Sequence, residues 1–156
     1  MKAEEIDRLV AAQLEAEAAG DVPGCVASFA EDVEHDLVGV PDGLRLGREA
    51  AEALYLRLAR ELRTEKIIPV RAYSGEDFCV VEHEWRGTIV GSLVGRGGVK
   101  RRITLRVLRI WEFRAGQIGR ASIWLDGFGL LRQLTEGLTE GEPARVGTGG
   151  GPPMLG

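Results

Sequence analysis

Apolar residues at Ile6, Leu9, Val10, Leu14 and Ala18 recur at the spacing of one helical face, which predicts a helix from about residue 3 to Ala19 that stops at Gly20. Gln13 falls inside that stripe. Asp21 then predicts the cap of a short second helix that Pro23 enters near its first turn, with Val22, Cys25, Val26 and Phe29 on the buried side. Residues 33–38 alternate as a strand. Pro41-Asp42-Gly43 predicts a turn, because proline presets one backbone angle and glycine accepts the next. A third helix is expected from near Arg48 to about Arg63, with Ala51, Leu54, Tyr55, Leu58 and Leu62 on the face that packs against a sheet.

From Lys66 onward the apolar period changes to two, predicting strands at 67–73, 78–90, 102–113 and 118–125. Ser74-Gly75-Glu76-Asp77 and Arg114-Ala115-Gly116-Gln117 read as hairpin connections. The glycine-rich stretch 91–98 reads as a mobile loop at the rim. Asp126-Gly127 closes the last strand, and a short helical segment is expected over 128–138. Residues 139–156 are rich in glycine and proline with little to bury, which predicts a flexible tail behind a single domain over 1–138. Helix, helix, strand, helix and four strands imply an α+β fold: a curved, mainly antiparallel sheet wrapped around the N-terminal helices and enclosing a pocket. Leu108 and Ile110, opposite in phase to Leu105, Val107 and Trp111, leave the outer sheet face partly apolar. A homodimer through that face is expected.

Composition narrows the partners. With 156 residues the chain has room for one domain, and a net charge of −4 with mixed signs offers no continuous basic stripe for nucleic acid. The most basic stretch, 96–109, alternates with apolar residues and reads as the solvent side of a strand. Cys25 and Cys79 are too few and too far apart for a disulfide framework or a clustered zinc site, which suits a reducing compartment. Residues 1–10 are charged and lack a secretory core, and no apolar run approaches the roughly 18 residues of a membrane span. A cytoplasmic protein without a membrane partner is the expectation.

Four strongly polar side chains sit on otherwise apolar faces: Gln13, His35, His83 and Arg109. Burying such groups unpartnered costs roughly 2–7 kcal/mol for a neutral group and more for a charge. Groups that converge on one hollow meet each other or a ligand, so the pattern predicts a small-molecule pocket. His35 is in phase with Val33 and Leu37 and opposite to Asp36, so a regular strand aims only one of the two inward. His83 shares its face with Cys79, Val81, Trp85 and Ile89, where a hydrogen-bonded core histidine competes with a general base. Arg109, between Val107 and Trp111, reads as an enolate or carboxylate partner or as half of a structural ion pair. Gln13 and Tyr55 are candidate ligand contacts, and Trp85, Trp111 and Trp124 read as core or interface fillers unless they face a flat apolar ligand. Asp126 reads as a helix cap. Both cysteines read as core thiols, and the spacing of His35, Asp36 and His83 matches no metal-ligand motif.

The run from Phe29 through His35, Asp36 and Gly39 to Gly43, Gly47 and Glu49 resembles the SnoaL-like polyketide cyclases and the ketosteroid isomerases of the nuclear-transport-factor-2-like superfamily. The likeness continues in Trp85-Arg86-Gly87-Thr88, in residues 113–118 and in Leu125-Asp126-Gly127-Phe128, covering roughly Ile6 to Leu134. It implies a cone-shaped scaffold, and it places Asp36 at the isomerases' catalytic aspartate. It also puts Gln13 near their first-helix tyrosine, Arg109 near their second aspartate, and Ile123 where the cyclases carry an acid. The implied chemistry is cofactor-independent acid/base isomerisation or cyclisation of an apolar, polyketide- or steroid-like carbonyl compound. Asp36, His83 and Arg109 are the catalytic candidates, and Gln13, His35, Tyr55, Trp85 and Trp111 are the substrate contacts. The rival expectation is a non-catalytic ligand-binding or protein-docking module of the same fold.

Overall fold

A computed structural model of the chain describes residues 1–40, 43–90 and 100–136. The Pro41-Asp42 part of the expected turn, the loop at 91–98, the last residues of the expected fourth helix and the tail at 139–156 lie outside the described residues. The elements in chain order are α1 (Ala3–Ala19), α2 (Val22–Val26), β1 (Phe29–Val38), β2 (Leu44–Leu46), α3 (Arg48–Glu61), β3 (Leu62–Ser74), β4 (Phe78–Ile89), β5 (Arg101–Arg114), β6 (Gln117–Leu125) and α4 (Gly127–Thr135). The fold is α+β. Its curved sheet runs β2-β1-β6-β5-β4-β3, with β1 and β6 parallel and every other pair antiparallel.

Local chemistry explains the helix ends. α1 stops at Gly20, whose φ of 68° lies in the left-handed region that glycine enters without a steric cost. Asp21 caps α2 by accepting from the Gly24 amide at 3.1 Å, and Asp126 caps α4 by accepting from the Gly129 amide at 2.9 Å. The third helix ends earlier than its pattern suggests. Leu62 is already extended (φ −115°, ψ 137°) and pairs with Ile89, so the far end of β4 claims this segment against its helical spacing. β2 was not foreseen: it has three residues, and its leucines, Leu44 and Leu46, are exposed. Pro69 sits in β3, the edge strand opposite β2, where its missing N–H costs no ladder bond on the open side.

The apolar interior divides in two. One cluster gathers α1 and α2 with Val33, Val81 and Trp111; the other gathers Leu37, Trp85, Val107, Ile123 and the α4 leucines Leu130 and Leu134. On three strands the residue at the boundary is polar: His35 between Val33 and Leu37, His83 between Val81 and Trp85, and Arg109 between Val107 and Trp111. A polar seam therefore crosses the inner face of the sheet. Asp126 lies outside this seam, so Asp126→Ala is expected to cost about 1 kcal/mol through loss of the α4 cap alone. Urea unfolding measures the cost, which should lower the midpoint at an unchanged slope.

Candidate functional site

The seam closes from above through α1 and α3. Gln13 and Glu17 are one helical turn apart on α1 and continue the buried stripe begun by Ile6 and Val10, so both side chains point at the sheet. Arg109 of β5 meets Glu17 with both terminal nitrogens, Nη1 on Oε1 and Nη2 on Oε2, and the two side chains are only 8% and 11% exposed. Two further donors reach Glu17 Oε1: the Tyr55 hydroxyl at 3.0 Å and Gln13 Nε2 at 3.1 Å. Gln13 Nε2 also lies 3.1 Å from the Tyr55 oxygen, and His35 Nε2 approaches that oxygen at 3.1 Å. Trp111 lies beneath Arg109, whose Cζ is 5.9 Å from the ring centre, within cation–π range.

Proton accounting assigns the donors. Tyr55 has one hydroxyl proton, and the Glu17 carboxylate is its strongest acceptor. His35 must then donate through Nε2, which leaves its Nδ1 lone pair without a partner among the described residues. Burial works to raise the Glu17 carboxyl, but the Arg109 charge and the hydrogen bonds from Arg109, Gln13 and Tyr55 outweigh it and hold Glu17 below its ordinary value. Burial likewise opposes the charge on Arg109, and Glu17 reverses the effect, so the guanidinium stays charged. Tyr55 is pushed well above its ordinary value by burial and then by Glu17, so it remains a phenol. Burial pulls His35 down to about 4; Glu17 opposes this, while Arg109 and Arg45 add to it.

Beside this cluster, in which Gln13 Oε1 and Arg109 Nε also find no partner among the described residues, lies a cavity of about 390 Å³, walled mainly by apolar side chains of α1, α3 and the sheet. Glu17, Tyr55, Arg109 and His83 border it, as do Trp85 and Cys25. His83 is fully buried, and neither ring nitrogen has a hydrogen-bond partner among the described residues. Burial first, and the Arg109 charge second, lower its pKa to about 3 against a partial counter-pull from Glu17, so the imidazole is neutral. It carries one N–H donor and one lone pair, neither with a partner among the described residues. Cys25 is a protonated thiol, its pKa raised to about 12 by burial and then by Glu17. The indole of Trp85 is fixed by a 3.0 Å bond from Nε1 to Thr64 Oγ1.

The expected site residues separate into three groups. His83, Arg109, Tyr55 and Trp85 border the cavity. Gln13 and His35 are buried behind Tyr55 and reach the cavity only through it. Trp111 is 2% exposed and packs in the first apolar cluster beneath Arg109 rather than against the hollow. Asp36 needs a correction. Strand alternation turns His35 inward, which places Asp36 on the other face between Leu44 of β2 and Ser122 of β6, and it does not border the cavity. Glu17 is the functional residue that the sequence reading missed. Its signal was present: Gln13 and Glu17 are four residues apart, so whatever buries one helical face beyond Gln13 buries Glu17.

The model of the SnoaL-like domain matches residues 10–121, well over half of the chain. Solved structures agree on the fold. TsrD from Streptomyces laurentii is 21% identical, with a TM-score of 0.74, over 86% of this chain and 97% of its own. A putative polyketide cyclase from Xanthomonas campestris is 23% identical, with a TM-score of 0.71, over 84% of this chain and 97% of its own. An LEH-like epoxide hydrolase from M. tuberculosis is 19% identical, with a TM-score of 0.68, over 86% of this chain and 92% of its own. No curated protein matches the chain. Among the described residues no helix is long and apolar enough to cross a membrane. On the extent of the family match, which runs from the middle of α1 into β6, the chain belongs to the SnoaL-like domain family.

Proposed function

We propose that the cavity takes a largely apolar carbonyl compound and that the protein moves a proton at the carbon next to the carbonyl, as a cofactor-independent isomerase or ring-closing cyclase. One observation carries this reading: His83, a neutral imidazole beside the cavity, is the titratable group there whose ring nitrogens have no partner among the described residues. Glu17 is consumed by Arg109, Gln13 and Tyr55, and the Cys25 thiol and Tyr55 phenol hold their protons. In the proposed step the His83 lone pair takes the α-proton, and an imidazolium forms beside an enolate. The enolate's charge offsets the burial penalty that keeps the empty-pocket imidazole neutral. Arg109, fixed by Glu17, supplies positive potential where the enolate oxygen develops. The imidazolium, in exchange with solvent, gives a proton back at another carbon in an isomerisation; in a cyclisation the enolate carbon attacks a second carbonyl and the imidazolium proton goes to the alkoxide that forms. Asp36 has no part in this step.

Binding without turnover is the second reading, favoured by the engagement of Glu17, the one carboxylate among the described residues on the wall. Deuterium uptake at the α-carbon of a panel of cyclic ketones in D₂O, followed by NMR, separates the two. The wild type is expected to accelerate uptake, and His83→Gln to lose about 100-fold or more of that rate, the usual weight of one acid/base group. Ketones that raise the melting temperature without exchange would establish binding alone.

Pairing of two copies through the outer sheet face belongs to the same proposal. Leu108 and Trp124 are cross-strand partners there and are 39% and 50% exposed, which supports an apolar centre for a two-fold contact. Sedimentation velocity is expected to show a dimer that Trp124→Lys converts to monomer.

The two histidines also make stability depend on pH. Both have folded values, about 4 and about 3, below the ordinary 6.5. Between those limits the unfolded chain binds more protons, so stability is complete above about pH 6.5 and falls as the pH drops toward 4. Each histidine contributes a slope of up to about 1.4 kcal/mol per pH unit. Denaturant titrations from pH 7 to 4.5 should show this decline, and His83→Gln should remove about half of it.

A further inference from the structure

One cross-strand position holds the Trp85 indole at the cavity wall. Buried residues alternate along β4 as His83, Trp85, Gly87 and Ile89, all on the inner face. Gly87 presents no side chain, and Trp85 uses the space: a Cβ there would fall 2.5 Å from Cζ2 and 2.6 Å from Cη2 of the ring, and 2.4 Å from the Arg63 carbonyl oxygen. Thr64 is the partner of Gly87 on β3, and its Oγ1 accepts from the indole Nε1 at 3.0 Å. A buried indole N–H calls for such an acceptor.

Thr64 meets the ring because β3 is irregular here. Thr64 pairs with Gly87 and Ile67 with Trp85, so three steps along β3 match two along β4. In a regular strand two residues three apart face opposite ways, yet Thr64 and Ile67 both border the cavity. The register shift between Thr64 and Lys66, a β-bulge, lets both turn inward. Trp85 packs in the second apolar cluster with Ile89, Ile103 and Leu105 and also borders the cavity, so its bulk is a boundary between packed core and open space.

Resting on the proposed reading of the cavity, we infer that Trp85 sets the upper size of the ligand, a ketone of two fused rings, and that Thr64 and Gly87 are the positioning residues that keep the indole in place. The ring cannot yield to a larger guest. It already lies against the strand at Gly87, which closes retreat toward the sheet, and turning aside breaks the Thr64 bond and leaves a buried donor unpaired. The cavity of about 390 Å³ stands near the lower end of the roughly 300–1,000 Å³ of small-molecule pockets, which suits two fused rings and leaves little for a third.

The test compares 2-tetralone with its analogue carrying one more fused benzene ring, by isothermal titration calorimetry on the full chain. The wild type is expected to bind the smaller ketone about tenfold more tightly, the order of an overpacked contact. Trp85→Leu should reverse the preference, because the added ring gains burial in the vacated space. Thr64→Val keeps the shape and removes the acceptor; it should narrow the ratio in the wild type and leave it unchanged in Trp85→Phe, which has no N–H to hold. Gly87→Ala should weaken 2-tetralone less in Trp85→Leu than in the wild type, and if it does not fold the Trp85 and Thr64 variants decide. Each ratio is internal to one variant, so lost stability does not imitate lost selectivity. A wild type that binds both ketones alike or prefers the larger, or a preference that survives Trp85→Leu, overturns the inference. If 2-tetralone binds and His83→Gln weakens it while Trp85→Leu leaves the ratio unmoved, the cavity reading stands and this one falls. If neither ketone binds the wild type or Trp85→Leu, both fall.

Discussion

The buried pairing of Glu17 with Arg109 is the constraint on which the rest of the interior depends. Two charges removed from water cost several kcal/mol each, and their attraction repays this only where geometry is good and the remaining polar atoms are satisfied. Each guanidinium terminal nitrogen meets one carboxylate oxygen and Gln13 and Tyr55 add two further donors, so the carboxylate is fully engaged while Arg109 Nε and Gln13 Oε1 have no partner among the described residues. The pair joins α1 to β5 across 92 positions of the chain, so it ties the first helix to the middle of the sheet. Tyr55 brings α3 to the same point, and His35 brings β1. Four elements share one electrostatic knot.

That knot accounts for the hollow beside it. A continuous apolar core collapses onto itself, but here two clusters stop at the seam because neither can cover charged and hydrogen-bonding atoms with methyl groups. The space between them keeps apolar walls and a polar floor, a combination suited to a ligand that is mostly hydrocarbon with one oxygen at its buried end. His83 occupies the seam on β4 beside the cavity without joining the network, and its ring nitrogens have no partner among the described residues.

Much of this was legible in the chain. The element order apart from β2, both aspartate caps and the four polar intruders on apolar faces follow from spacing alone, because strand and helix periods fix which side chains share a face. The parity of His35 and Asp36 already required that one of them turn outward; pairing decided which. The likeness to the isomerases pointed at Asp36, while the strand's own alternation favours His35, whose neighbours Val33 and Leu37 are the larger apolar groups. Glu17 was hidden for a different reason. It lies in a helix that also carries Glu4, Glu5 and Glu15, and a carboxylate among carboxylates reads as solvent face until a buried arginine is found beneath it. The early end of α3 was hidden because Leu62 suits a helical face, and only its partner Ile89 reveals the strand.

The electrostatics of the seam also limit what the cavity can accept. A full charge at the buried end of a ligand would face a neutral imidazole and an ion pair whose two signs are already matched, so it would be desolvated without compensation. A carbonyl oxygen avoids that cost, since it is polar when bound and becomes charged only as a proton leaves its neighbouring carbon. In the proposed step the imidazolium that forms at His83 balances the enolate, so the favourable charge interaction arises in the activated state rather than in the ground state, which is the condition for lowering a barrier instead of only tightening binding. A site that merely stored its ligand would gain nothing from holding a fixed guanidinium beside an unpartnered imidazole. The expense of keeping both dry, without satisfying the imidazole, is the strongest physical reason for placing chemistry at His83.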